Sequence, residues 1–195
     1  MENRATGPME LSQFSDEDLM ERIQAGERPA FAELVRRHTQ RFYRLAFRMM
    51  MARDDAEDIV QSAFLKLWQD PKKWKGSKNV KFSTWFYRVV VNLCLDAKKK
   101  KQPERFEGDW PEHVAAQGNS METQLIQKDQ HQWLEQSMAE LPPRQQVALN
   151  LCFYEGLSNR EAADVMGIGL KALESLMIRA KQHLKDKAKQ IRQEV

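Results

Sequence analysis

At 195 residues, with a formal net charge of +3 and 42% hydrophobic side chains, the chain fits one ordinary domain or two small ones and can bury real cores, which excludes a disordered tail. No uninterrupted apolar run approaches the ~20 residues that span a bilayer, and the opening MENRATGPMELSQFSDEDL lacks a signal-peptide core, so a cytoplasmic location is expected. The two cysteines, Cys94 and Cys152, each sit inside an apolar run, which argues for buried reduced thiols over a disulfide scaffold.

Nothing in the sequence has a convincing strand pattern, whereas helical periodicity recurs almost throughout. Ser15-Asp16-Glu17-Asp18 predicts a capped helix start with acids in the first turn, followed by Leu19, Ile23 and a stop at Gly26. Pro29 opens a second helix that gathers Phe31, Leu34, Val35, Phe42, Leu45, Ala46 and Met49 on one broad face. Its arginines, Arg36, Arg37, Arg41, Arg44 and Arg48, fall mostly elsewhere and predict a basic outer side. A third helix is expected over 54–69, apolar at Ala56, Ile59, Val60, Ala63, Phe64, Leu67 and Trp68. Asp54, Asp55, Glu57 and Asp58 crowd its first turn, where the helix dipole favours them. Pro71 ends it.

The segment Trp74–Lys101, WKGSKNVKFSTWFYRVVVNLCLDAKKKK, combines lysines with aromatic rings. Lys72, Lys73, Lys75, Lys78 and Lys81 lead in and Lys98 to Lys101 close it, bracketing Trp74, Phe82, Trp85, Phe86 and Tyr87. Cations that neutralise phosphates, next to rings that stack on bases, suit single-stranded nucleic acid. The same residues also suit a plainer arrangement, with Trp85, Val89 and Val90 in a core and the lysine run at a solvated helix end. Ser83 or Thr84 is the expected cap of this fourth helix, and Trp85, Phe86, Val89, Val90, Leu93 and Leu95 its apolar side.

From Gln102 to about Thr123 the pattern collapses into a linker, with Phe106, Trp110 and Val114 its only sizeable apolar anchors. A helix over 125–141 then ends at Pro142-Pro143. The next runs through Val147, Leu149, Leu151 and Phe153 to Gly156. Ser158-Asn159-Arg160-Glu161 is an S-x-x-E capping box that starts a short helix with Ala162, Ala163, Val165 and Met166 inward. Gly167-Ile168-Gly169 makes a turn, and a long helix follows over 170–188 with Leu173, Met177, Ala180 and Leu184 on its buried stripe. Short helix, glycine turn and longer basic helix form a helix-turn-helix, whose second helix enters a major groove. The expected fold is all-α: two small helical domains, 10–101 and 124–195, the second a helix-turn-helix, joined by a flexible linker over 102–123.

In order and spacing, DDAEDIVQSAFLKLW, FSTWFYRVVVNLCLD with its basic follow-on, the linker, and LPPRQQVALNLCFYEGLSNREAADVMGIGLKALESLMIRAKQHL resemble the extracytoplasmic-function (ECF) group of bacterial RNA polymerase sigma factors. The likeness runs from about Asp16 to Leu184. It implies a stress-response type of factor that brings core polymerase to particular promoters and aids their opening, with no catalysis and no cofactor of its own. It implies that Asp55, Glu57, Asp58, Gln61 and Phe64 meet the clamp helices of the polymerase β′ subunit, foremost Asp58 and Gln61, and that the β flap is a second polymerase contact. Minus-10 DNA would fall to Lys75, Gly76, Ser77, Lys78, Asn79, Lys81, Arg88, Asn92, Lys98 and Lys99, with a flipped base in the 75–81 loop and Asn79 on its edge. Minus-35 DNA would fall to Asn159, Arg160, Lys171, Glu174, Ser175, Ile178, Arg179 and Gln182.

The last helix departs from the family: members commonly carry cations at the positions of Glu174 and Leu176, within a pattern like VKSRLHRAR, where this chain has LESLMIRAK. An unusual minus-35 sequence, or heavier reliance on the first domain, is therefore expected. The linker acids Glu104, Glu107, Asp109 and Glu112 suit either a strand in the polymerase channel or a soluble tether. The resemblance also implies an anti-sigma partner, often membrane-anchored, for which the apolar Leu176 and Ile178 offer contacts. The competing reading is a free-standing helix-turn-helix activator, which needs neither the acid-rich helix nor the basic aromatic segment. An enzyme has little support, since His38, His113, His131 and His183 are scattered without metal-ligand spacing.

Overall fold

The computed structural model describes residues 11–76, 81–101 and 137–194, the side chains of 191–194 excepted, and these residues are helical with no strand among them. The chain divides into two compact units, Met1–Cys94 and Leu95–Val195. The expected linker over 102–123, with its acids and apolar anchors, and most of the helix expected over 125–141 lie outside the described residues. Residues 137–139 at the end of that helix are helical.

In the first unit, α1 spans Asp16–Gln24, α2 Arg28–Met50, α3 Arg53–Gln69 and a 3-10 turn Pro71–Lys73, and α4, Phe82–Lys101, starts there and runs on past Cys94. The caps act as expected. The Ser15 hydroxyl accepts from the Asp18 N–H, the Asp18 carboxylate accepts from the Ser15 N–H, both at 3.1 Å, and Gly26 at φ +93° closes the helix. Pro29 sits in the first turn of α2, and α2 stops at Met51 in the left-handed region at φ 55°, a conformation a bulky residue adopts only when held there.

Rings form the centre of this unit. Phe86 is fully buried, with centroids 4.7 Å from Phe42, 4.8 Å from Phe64 and 5.3 Å from Phe82. Tyr87 and Trp74 are also buried, so four of the five rings expected at a base-stacking surface are core, and only Trp85 is half-exposed. The reason lies in the start of α4. It begins at Phe82, ahead of the expected caps Ser83 and Thr84, and its buried stripe is Phe82, Phe86, Tyr87, Val90, Val91 and Cys94. That stripe is rotated from the expected one, leaving Val89, Leu93 and Leu95 half-buried.

The arginines of α2 do not all form an outer face. Arg37 is half-buried and donates to the carbonyls of Leu11, Ser12 and Phe14, to Asp16 and to Glu33. Glu33 is buried, and hydrogen bonds from Arg36 at 2.8 Å and Arg37 at 2.7 Å hold its carboxyl down at about 2 against burial. Burial opposes ionisation of Asp16, but hydrogen bonding to His38 at 2.7 Å, with Arg37 adding to it, leaves that carboxyl below its usual value. A depressed folded value means that the Glu33 contribution is complete above its ordinary 4.5 and is lost as pH falls from there through about 2. Urea midpoints of the wild type should fall across this window, and Glu33→Gln should flatten the fall.

In the second unit, α5 (Pro143–Leu149) runs into a π-helical turn, Asn150–Tyr154; α6 spans Asn159–Met166 and α7 Leu170–Glu194. The wide turn replaces the straight helix expected to reach Gly156. It rotates later side chains off the inner stripe, so Phe153 is 62% exposed. Cys152 is half-buried instead of buried, with its thiol raised by burial and partly offset by Lys181; Cys94 is buried, and neither forms a disulfide. The capping box is as expected: the Ser158 hydroxyl accepts from the Glu161 N–H at 3.3 Å and the Glu161 carboxylate from the Ser158 N–H at 2.9 Å. Gly167 at φ +64° ends α6. Leu173, Met177 and Ala180 of α7 are buried, while Met166 and Leu184 are half-buried, and the helix continues beyond the expected end at 188.

Candidate polymerase- and DNA-binding surfaces

Helices α2 and α3 leave an open groove of about 740 Å³ between them. Glu57, Asp58 and Gln61 stand on its α3 wall with Leu65 and Trp68, and Phe31, Val35 and Tyr43 of α2 line the other wall. On α3 positions 57, 58, 61, 65 and 68 fall within about 100° of the helix, so two acids, an amide and two large apolar groups share one face. Leu65 is 51% and Trp68 43% exposed. Trp68 was expected only as an apolar position of this helix, and Leu65 carries a signal not named from the sequence: it is apolar but off the buried stripe. Phe64 also lines the groove, although its ring is mostly buried, 4.8 Å from Phe86 and 6.4 Å from Phe31. Asp55 lies in the first turn of α3, outside the groove lining.

Lys75, Gly76 and Lys81 are exposed at the two edges of the candidate loop; Ser77, Lys78 and Asn79 lie outside the described residues. Lys81, Arg88, Asn92 and Lys99 recur at offsets of 7, 11 and 18, which is a single stripe on a helix of 3.6 residues per turn, about 27 Å long. All four are exposed. Lys98 is turned about 100° from that stripe and is half-buried. An exposed row of three cations and an amide is therefore present on α4 without the row of stacking rings.

In the helix-turn-helix, Asn159 and Arg160 are exposed at the start of α6. Lys171, Glu174, Ser175, Ile178, Arg179 and Gln182 are exposed along α7, opposite the buried stripe. Ile178 is 69% exposed, whereas Leu176, expected beside it on the surface, is half-buried. The Gln182 amide donates to both oxygens of Asp186, at 2.9 and 2.8 Å. Lys181 lies 5.3 Å from the Phe153 ring centroid, so this exposed aromatic is already partnered by a cation. Among the described residues no group of His, Cys, Asp or Glu is arranged to hold a metal ion, and no helix is long and apolar enough to cross a membrane.

A helical unit with a basic stripe and an acid-flanked groove is thus followed by a helix-turn-helix unit. The sigma-70 region 2 model matches residues 34–104 and the sigma-70 region 4 model residues 131–184. Over 192 residues the chain is 30% identical to the RNA polymerase sigma-H factor of Pseudomonas aeruginosa, covering 92% of this chain and 96% of that one. It is also 30% identical over 160 residues to the ECF RNA polymerase sigma factor SigE of Mycolicibacterium smegmatis, covering 81% of this chain and 61% of that relative's length. The fold is shared with the sigma factor RpoE from Bartonella quintana, solved with the anti-sigma factor NepR. That likeness has a TM-score of 0.60 at 21% identity and covers 82% of this chain and 96% of that one. The chain belongs to the ECF RNA polymerase sigma factors. It is an alternative sigma factor whose partners are core RNA polymerase and promoter DNA, and the free-standing activator is not favoured, because the region 2 match covers the very segment an activator would not need.

Proposed function

We propose that the groove between α2 and α3 docks on the β′ clamp helices, that the stripe on α4 with the segment from Lys75 to Lys81 engages the minus-10 element, and that α6 and α7 read the minus-35 element. The observation that carries this reading is the single α3 face bearing Glu57, Asp58 and Gln61 beside the exposed Leu65 and Trp68, since an interface centre wants large apolar anchors ringed by polar groups. The exposed rows on α4 and α7 support the two DNA assignments. On α7 the Arg179 guanidinium and Lys171 neutralise phosphates, Glu174 accepts from a cytosine amine and Ile178 meets a thymine methyl. The β flap is the second polymerase contact. The factor does no chemistry of its own and works in the cytoplasm.

An anti-sigma protein that covers these faces fits the same surfaces. RpoE from Bartonella quintana is held by NepR, and Ile178 gives this chain an exposed apolar point for such a contact.

Run-off transcription with core polymerase on a genomic library tests the whole reading. Transcripts should start downstream of two shared elements, with a minus-35 element unlike the commonest ECF motif. An absence of transcripts would overturn the reading, and recovery of that common motif would overturn the part that rests on Glu174. Glu174→Arg should steepen the dependence of log affinity on log salt by about 0.9, the release of one further counterion, as measured by filter binding between 50 and 200 mM salt.

A further inference from the structure

Helix α1 touches both ends of the segment between Trp74 and Phe82. At one end the Gln24 amide donates to the carbonyls of Pro71 and Trp74, each at 3.0 Å. At the other the Glu17 carboxylate accepts from the Phe82 N–H at 2.9 Å, and so takes up one of the orphan donors in the first turn of α4. Seven residues separate Glu17 from Gln24, which is two turns, so both side chains leave the same face about 10 Å apart along the axis.

The helix that makes these two bonds is itself fixed. Arg37 of α2 gathers the carbonyls of Leu11, Ser12 and Phe14 together with the Asp16 carboxylate, and His38 closes on Asp16 at 2.7 Å. A further pin lies at the near end of the segment. The Trp74 indole is buried and packs so closely over Gly76 that a Cβ there would lie 2.8 Å from its Cη2 and 2.9 Å from its Cζ3. Lys75 and Lys81, the described cations of the DNA-reading segment, are thus carried on two stems that α1 holds at a set separation.

We propose that α1 is a brace for the minus-10 reader, with Glu17 and Gln24 as positioning residues that touch no DNA. The inference rests on the minus-10 reading given above. Holding both stems before binding removes ordering cost from the capture of a single strand, which is how a pre-organised site gains affinity without a new contact.

The test uses holoenzyme reconstituted from full-length chain and core polymerase, titrated with a single-stranded oligonucleotide bearing the non-template minus-10 sequence returned by the run-off library. Glu17→Ala and Gln24→Met should each weaken oligonucleotide binding by about tenfold with unchanged affinity for core polymerase. Glu17→Gln should restore most of it, because its amide oxygen still accepts from the Phe82 N–H. Gln24→Met keeps the side-chain volume and carries the test if Glu17→Ala fails to fold. Wild-type oligonucleotide affinity in both variants, with Lys75→Ala and Lys81→Ala weakened, overturns the brace and leaves the minus-10 reading standing. Wild-type affinity in the lysine variants as well overturns that reading and the brace with it. Parallel loss of oligonucleotide and core binding in Gln24→Met also overturns the brace, because the residue would then serve only to hold the fold.

Discussion

Replacing Trp68 with alanine is expected to weaken binding to core RNA polymerase by about 30-fold or more, the ~2 kcal/mol that marks an interface hot spot. Trp68 is 43% exposed at the rim of the groove, 4.8 Å from the half-buried Phe31, and Leu65 beside it is 51% exposed. A large indole left in water on a protein surface makes sense when a partner removes it from water. In the proposed docking, burial of its open face would supply the affinity, while Asp58 and Gln61 along the same α3 face would fix the register through polar contacts. The fold should tolerate the change, since the ring contributes little to the buried cluster: a stability loss of no more than about 1 kcal/mol is expected by urea unfolding. Asp58→Arg should add to the effect by placing a like charge wherever the partner offers a cation. Titration of fluorescently labelled chain with core polymerase measures both, and wild-type affinity in Trp68→Ala would remove the groove from the interface.

Phe86→Ala should have the opposite profile, with a large loss of stability and no selective loss of polymerase binding in whatever fraction remains folded. The ring is fully buried and meets Phe42, Phe64, Phe82 and Trp85 at centroid distances from 4.7 to 6.0 Å. Truncation to alanine opens a cavity among rings that cannot collapse into it, a change that costs about 3–5 kcal/mol. Because a domain of this size has only about 5–15 kcal/mol in total, the first unit should approach unfolding at physiological temperature. Phe153→Ala is the matched control. That ring is 62% exposed and should change the stability of the second unit by less than about 1 kcal/mol. Near-ultraviolet circular dichroism through a urea titration separates the outcomes; a Phe86→Ala midpoint close to wild type would mean that the ring cluster is not the core of the unit.

The contrast between these two aromatic residues marks where sequence reasoning succeeded. Signals that act within one or two turns were legible. Ser15 and Ser158 cap where their spacing to Asp18 and Glu161 says they should, Gly26 and Gly167 stop α1 and α6, and Leu173, Met177 and Ala180 line the inner face of α7. The order of the helices and the place of the helix-turn-helix follow from such signals, as do the exposed rows on α4 and α7. The groove itself was not legible: Glu57, Asp58, Gln61 and Phe64 were expected at a polymerase contact and all four line it, but Leu65 beside them was not considered.

The chain of local signals breaks at α4. Its lysines and rings satisfied a base-stacking pattern, yet Trp74 is buried, and Phe82, Phe86 and Tyr87 face inward because rings from α2 and α3 close over them. The helix starts at Phe82, not at Ser83 or Thr84, and the Phe82 N–H finds its acceptor in Glu17, 65 residues earlier; Gln24 reaches its carbonyls 47 and 50 residues later. Helical period, caps and turn residues report on neighbours three or four positions apart, and so the linear order of residues was enough to establish an all-α, two-part sigma factor. Which aromatic ring is core and which stays exposed, and what caps the start of α4, were decided only when distant helices came together, because burial and capping across the fold depend on groups that local periodicity does not bring near one another.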